Sequence, residues 1–116
     1  MPYISMRTSK KLSDAQKEAV KSGFGKLISI IPTKSESGLM VDISDSSTFF
    51  FRGELADAAY INIKMLGTAE RDVKEELTTE IFKMLNEATG LEIPNIYLSY
   101  GEYPVWGSRG TLNPQK

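Results

Sequence analysis

Residue 2 is proline, in Met1-Pro2-Tyr3-Ile4-Ser5-Met6 at the head of a strand-like segment. Once Met1 is removed, its nitrogen becomes a secondary amine carried on a stiff ring. An α-amino group titrates at roughly 7.7–8.0, and burial in an apolar pocket lowers that value by disfavouring the charged form. Such an amine can act as a general base at neutral pH. The chain contains no histidine and no cysteine that could do the same work. Proline by itself is weak evidence, being about 5% of an average chain and well suited to the first position of a strand. Its meaning depends on the elements that position it.

The missing residue types narrow the chemistry further. Without cysteine there is no disulfide framework, no thiol nucleophile and no Cys-based metal site, and without histidine a zinc site is disfavoured as well. No cofactor is implied. The 116 residues, net charge -1, fit one domain spanning 1–116. Basic and acidic residues are mixed, so no basic stripe points to nucleic acid and no acidic tail to a cationic partner. No apolar run approaches the ~18 residues of a membrane span, and the N-terminus has no apolar leader. A cytoplasmic location is the default expectation.

Alternation over Pro2 to Thr8 sets Ile4 and Met6 against Tyr3, Ser5 and Arg7, a half-buried strand. Ser13-Asp14-Ala15-Gln16 has the form of a capping box. Behind it Val20, Phe24, Leu27, Ile28 and Ile31 recur at helical spacing, predicting about five turns ended by Pro32. Gly23 and Gly25 weaken that helix by roughly 1 kcal/mol each, so packing must compensate. Leu39 to Ile43 reads as a second strand and Thr48 to Arg52 as a short third, with a turn at 44–47. The pattern then recurs: a strand over Ala59 to Leu66, a helix over Ala69 to Thr89 stopped by Gly90, and a strand over Asn95 to Tyr103. The order is β-α-β-β followed by β-α-β, with pseudo-repeat halves 1–52 and 58–104.

Each helix is long enough to return a parallel strand, giving an α+β fold: a four-stranded mixed sheet with both helices on one face. Tyr3, Tyr60 and Tyr97 fall on the face without helices, and one of Phe49, Phe50 and Phe51 must leave the core. A bare sheet face and unpaired edges favour self-association. Met6, Met40 and Met65 read as core filling, and the run Glu70 to Glu76 as a solvated helix face. Arg7, Arg52 and Arg109 have the chemistry of carboxylate binders, although most arginines are surface residues.

Met1-Pro2, Pro32-Thr33-Lys34, Met65-Leu66-Gly67, the segment Leu85 to Tyr100 and Val105-Trp106-Gly107 together, in this order, resemble the macrophage migration inhibitory factor branch of the tautomerase superfamily. The resemblance covers almost the whole chain. It implies a homotrimer with active sites at subunit boundaries, around a processed N-terminal proline. By that likeness Pro2 shuttles a proton between carbon and carbonyl oxygen of an α-keto acid such as phenylpyruvate. Lys34 faces the substrate carboxylate, and the Leu66 backbone N–H meets the ligand. Tyr97 enters from a neighbouring subunit, while Val105 and Trp106 form an apolar wall for an aromatic ring. Ser99 stands where well-known members carry asparagine, which alters hydrogen bonding at the far end of a substrate. The Cys-x-x-Cys element of the animal cytokine is absent, so its thiol chemistry is excluded.

Physical chemistry supports the same residues. Tautomerisation needs one group that takes a proton from carbon and returns it to oxygen, and a cation that holds the carboxylate and spreads enolate charge. A lysine beside the proline also lowers the amine's pKa. Two other readings share the scaffold. One is a cytokine-like protein with a vestigial pocket, a host receptor as partner and secretion by a non-classical route. The other is a hydratase or dehalogenase of unsaturated acids, which requires an extra arginine or acid beside Pro2.

Overall fold

The computed structural model describes residues 1–115. In chain order its elements are β1 (Pro2–Thr8), α1 (Asp14–Leu27), β2 (Met40–Ser44), β3 (Phe50–Phe51), β4 (Glu54–Leu55), β5 (Ala59–Leu66), α2 (Arg71–Thr89), β6 (Ile96–Tyr103), β7 (Trp106–Ser108) and β8 (Thr111–Asn113). The principal sheet runs β2-β1-β5-β6. β1 pairs parallel with β2 and antiparallel with β5, and β5 pairs parallel with β6. This is the mixed four-stranded sheet that the strand and helix order requires.

Period-two alternation places Ile4 and Met6 of β1 and Ile61, Ile63 and Met65 of β5 on one buried face. Val20, Phe24 and Ile28 from the first helical segment join them, as do Leu77, Ile81 and Leu85 from α2, in one core cluster. Both helices therefore cover the same face. Each buried aliphatic side chain contributes about 1.5–3 kcal/mol of transfer free energy, which offsets the poor intrinsic propensity of α1. The two helix glycines have a packing reason. A Cβ on Gly23 would run into Met84 of α2, and one on Gly25 into the Glu36 carboxylate. Gly23 thus permits close helix approach, and Gly25 lets the 36–38 turn lie on α1.

The N-terminal end of α1 is capped as the residue types demand. Ser13 Oγ accepts the Gln16 N–H at 3.1 Å, and Gln16 Oε1 accepts the Ser13 N–H at 2.9 Å. The helix is shorter than its apolar stripe suggests. It ends at Leu27 and tightens into a 3₁₀ turn over 28–30. Pro32 forces Ile31 out of the helical region, to φ -78 and ψ 119. At the other end of the fold, Gly90 closes α2 with φ +75, and its N–H reaches the Asn86 carbonyl.

Several local expectations change. The single strand over 48–52 is instead a two-residue hairpin, β3 with β4, separate from the principal sheet. Its loop is Arg52-Gly53, both with positive φ. A second hairpin, β7 with β8, follows the last long strand and had no signal in the hydrophobic pattern. Met40 lies on the helix-free side of edge strand β2 and is 67% exposed, so it does not fill the core. Lys74, within the charged run of α2, is not merely solvated. Its ammonium meets Glu102 at 2.8 Å, and Glu102 also accepts the Ala69 N–H, fastening the start of α2 to β6. The Lys74 hydrogen bond, followed by that backbone N–H, holds the Glu102 carboxyl below its ordinary range.

Substituting Ser13→Ala removes the reciprocal cap and is expected to lower unfolding free energy by about 1 kcal/mol. Urea denaturation with an unchanged slope reads that loss directly; a variant as stable as the parent would show that the cap contributes nothing.

Candidate active site

Because β1 runs antiparallel to β5, Pro2 lies opposite Met65, near the end of β5 where the chain leaves the sheet. The Pro2 ring is buried. Lys34 reaches the same place from a different direction. The turn Ile31-Pro32-Thr33-Lys34 is closed by the Lys34 N–H on the Ile31 carbonyl at 3.1 Å. Proline suits the second position of such a turn. The third position, Thr33, has φ +71, where glycine or asparagine is ordinary. A β-branched residue there costs about 1–3 kcal/mol, the kind of outlier that clusters at functional sites. The turn sends the Lys34 ammonium back to the sheet, where it donates to the Leu66 carbonyl at 3.0 Å. Met65 and Leu66 are adjacent, so the cation and the chain's N-terminus meet at one sheet end.

The electrostatics of that meeting act on the N-terminal nitrogen. The Met1 α-ammonium lies below its ordinary value, first because burial disfavours charge, then through the charge and hydrogen bond of Lys34. Pro2 is one residue further in and more enclosed, Met1 being 37% exposed. While Met1 is attached, the Pro2 nitrogen is a tertiary amide and has no basic lone pair.

A cavity of about 440 Å³ opens here, with Met1, Pro2, Gly38, Met40, Trp106 and Arg109 in its lining. Trp106 is braced by Tyr103, their ring centroids 6.1 Å apart. None of the residues lining the cavity is a carboxylate. A larger cleft of about 570 Å³ lies on α2, beside Tyr100. Its charged groups and its tyrosine are already engaged: Lys74 with Glu102, Arg71 with Glu75, and the Tyr100 hydroxyl with Thr78 and the Lys74 carbonyl. The smaller cavity is the one that the chain's N-terminus enters.

The residues singled out from sequence divide into two sets. Pro2, Lys34, Leu66 and Trp106 come together within one chain. Leu66 takes part here through its carbonyl, which holds Lys34. Val105 adjoins Trp106 but is half exposed. Tyr97 and Ser99 do not reach this cavity in the chain itself. They pair with Tyr60 and Asn62 in the first half of β5, whereas Pro2 pairs with Met65 at its far end. Tyr97 is 62% exposed, its ring edge-on to Phe51 at 5.4 Å. Ser99 is hydrogen-bonded to the Tyr60 hydroxyl. Met40 and Ser108 also line the cavity without having been marked by type or spacing. Tyr3, whose hydroxyl donates to Asp42 at 2.9 Å, links the cavity to the bare sheet face.

The fold defined by this sheet and its two helices is the one shared by solved macrophage migration inhibitory factor homologues and by a fused 4-OT. The likeness to the macrophage migration inhibitory factor homologues is strong in fold and low in sequence. The chain superposes on Leishmania major MIF2 with TM-score 0.89, 24% identity and 97% coverage of both chains. The macrophage migration inhibitory factor-like protein of Entamoeba histolytica gives 0.84 at 24% identity, covering 96% of this chain and 97% of that one. A fused 4-OT, solved as a symmetric trimer, gives 0.79 at 12% identity, covering 88% and 85%. No protein-family model and no curated protein matches the sequence. No helix among the described residues is long and apolar enough to cross a membrane.

Relief of the backbone strain at Thr33 has a measurable consequence. Thr33→Asn keeps the turn and places a residue that tolerates positive φ, so stability is expected to rise by about 0.5–1 kcal/mol. Thermal or urea unfolding checks this; a destabilised variant would mean that the Thr33 side chain contributes more than the strain removes.

Proposed function

We propose that the chain forms a homotrimeric tautomerase of the macrophage migration inhibitory factor type, acting in the cytoplasm on phenylpyruvate-like α-keto acids. The observation that carries this reading is the cavity in which Pro2 lies at the strand end held by Lys34, against Trp106 and with no carboxylate in the wall. Removal of Met1 exposes the Pro2 amine. Burial and the neighbouring cation favour its neutral form, so it takes a proton from the carbon next to the carbonyl and delivers it to the oxygen. Lys34 holds the carboxylate and offsets the negative charge that develops on the enolate. The Leu66 N–H would meet the ligand backbone-on, and Trp106 with Val105 would take the aromatic ring.

The trimer supplies what one chain lacks. Tyr97 and Ser99 stand on an open face far from Pro2, so they can join the site only from a neighbouring copy. The exposed Phe50 and Leu55 of the β3-β4 hairpin offer apolar surface for that contact. A fused 4-OT of the same fold, solved as a symmetric trimer, supports a threefold assembly.

The test compares three proteins whose N-termini are verified by mass: processed chain, chain retaining Met1, and processed Pro2→Gly. In an enol-to-keto assay on phenylpyruvate, the last two are expected to fall by about 100-fold or more, the usual contribution of a positioned general base. Equal rates in all three would sink the reading.

A further inference from the structure

The β7-β8 hairpin carries a residue that its turn does not call for. Ser108 pairs with Thr111, so the loop is the two residues Arg109 and Gly110. Both have positive φ, +53 and +77, the backbone of a type I′ turn. Asparagine or aspartate is the usual first residue of that turn, because a longer side chain in the left-handed region is strained. The β3-β4 hairpin has the same Arg-Gly loop, but there Arg52 lies over the Phe51 ring at 4.6 Å. Among the described residues Arg109 lies over no aromatic ring. Among the described residues no carboxylate pairs with it, and it stands in the wall of the Pro2 cavity.

Met1 shows how that cavity is polarised. Its amino end is next to Lys34. Its side chain reaches the other wall, where the Ser108 hydroxyl donates to Met1 Sδ at 2.8 Å. Loss of Met1 therefore leaves a space one residue long, with Lys34 at one end and Ser108-Arg109 at the other. Nothing in the lining neutralises either cation. We propose that Arg109 is a specificity-determining residue of this cavity, binding a second acidic group at the end of the substrate away from Lys34. The favoured substrate class is then a 2-oxo acid with a terminal carboxylate, in preference to a monocarboxylate of equal length. The proposal rests on the reading of this cavity as the keto-acid site.

Trp106 lines the cavity and is the only tryptophan of the chain, so binding can be followed by its fluorescence without turnover. Processed protein is titrated with 2-oxohexanedioate and with 2-oxohexanoate, in parallel with Arg109→Asn and Arg109→Lys. The parent is expected to bind the dicarboxylate about tenfold more tightly, as one charge-assisted contact allows, and the preference should shrink in high salt. Arg109→Asn suits the turn better and should fold at least as stably while the affinity ratio falls to about one; Arg109→Lys should keep part of it. No preference in the parent, or a preference that survives Arg109→Asn, overturns the proposal. A protein that tautomerises phenylpyruvate but binds both acids equally refutes the role of Arg109 alone. One that prefers the dicarboxylate but never interconverts keto and enol forms refutes the tautomerase reading alone.

Discussion

The hydrogen bond from the Lys34 ammonium to the Leu66 carbonyl fixes a positive charge at the end of β5, and the chemistry proposed for the site depends on it. The carbonyl belongs to the last residue of β5, which is paired with Tyr103 of β6. The same strand end holds Pro2 through antiparallel pairing with β1. Sheet register brings Pro2 to the strand end that the 31–34 turn brings Lys34 to, and the register is held by burial. A one-residue slip of β1 would move Ile4 and Met6 out of the core and Tyr3 into it. Stability and site geometry consequently share one cause.

The half of the sheet away from the helices poses a different constraint. Its residues are neither a core nor an ordinary solvent face: Tyr3 is bonded to Asp42, Tyr60 to Ser99, and Tyr97 stands largely exposed. The cavity beside Pro2 is likewise open, with a cation at one end and the Trp106 hairpin along one side. Both features are resolved together if copies of the chain close against one another, burying the aromatic face and bringing Tyr97 to a neighbour's Pro2. Assembly and catalysis would then be linked, since the isolated chain brings Pro2, Lys34 and Trp106 together but leaves Tyr97 and Ser99 apart from them.

How much of this could be read in advance follows from which interactions are local. Alternation in Pro2 to Thr8 and Ala59 to Leu66 and the stripe of α2 report directly on a buried face, and those elements appear as expected. The capping box is local too. Apolar spacing continues through Ile31 and so places the end of α1 too late, because the backbone constraint of Pro32 acts earlier. Met40 was misjudged because an edge strand of alternating burial leaves one of its faces open. The two short hairpins were missed because their loops are Arg52-Gly53 and Arg109-Gly110, lacking the asparagine or aspartate that usually announces such turns; the glycine alone was the available signal. Pro2, Lys34 and Trp106 were legible as a group only through the family likeness, since no spacing rule joins residues 2, 34 and 106. Arg109 was noticed by type, but only the hairpin shows where it stands.

Everything proposed for the site requires that the Pro2 nitrogen be neutral when substrate arrives. The decisive measurement is a ¹⁵N NMR titration of the Pro2 amine in the processed protein, set beside the pH profile of kcat/KM for tautomerisation. Burial and Lys34 should place the amine's pKa clearly below the roughly 7.7–8.0 of an ordinary α-amino group. Activity should rise with pH through that same value and stay high above it until another group titrates. A nitrogen that titrates at the ordinary value or higher, or a rate profile that ignores it, would contradict the assignment of Pro2 as the base.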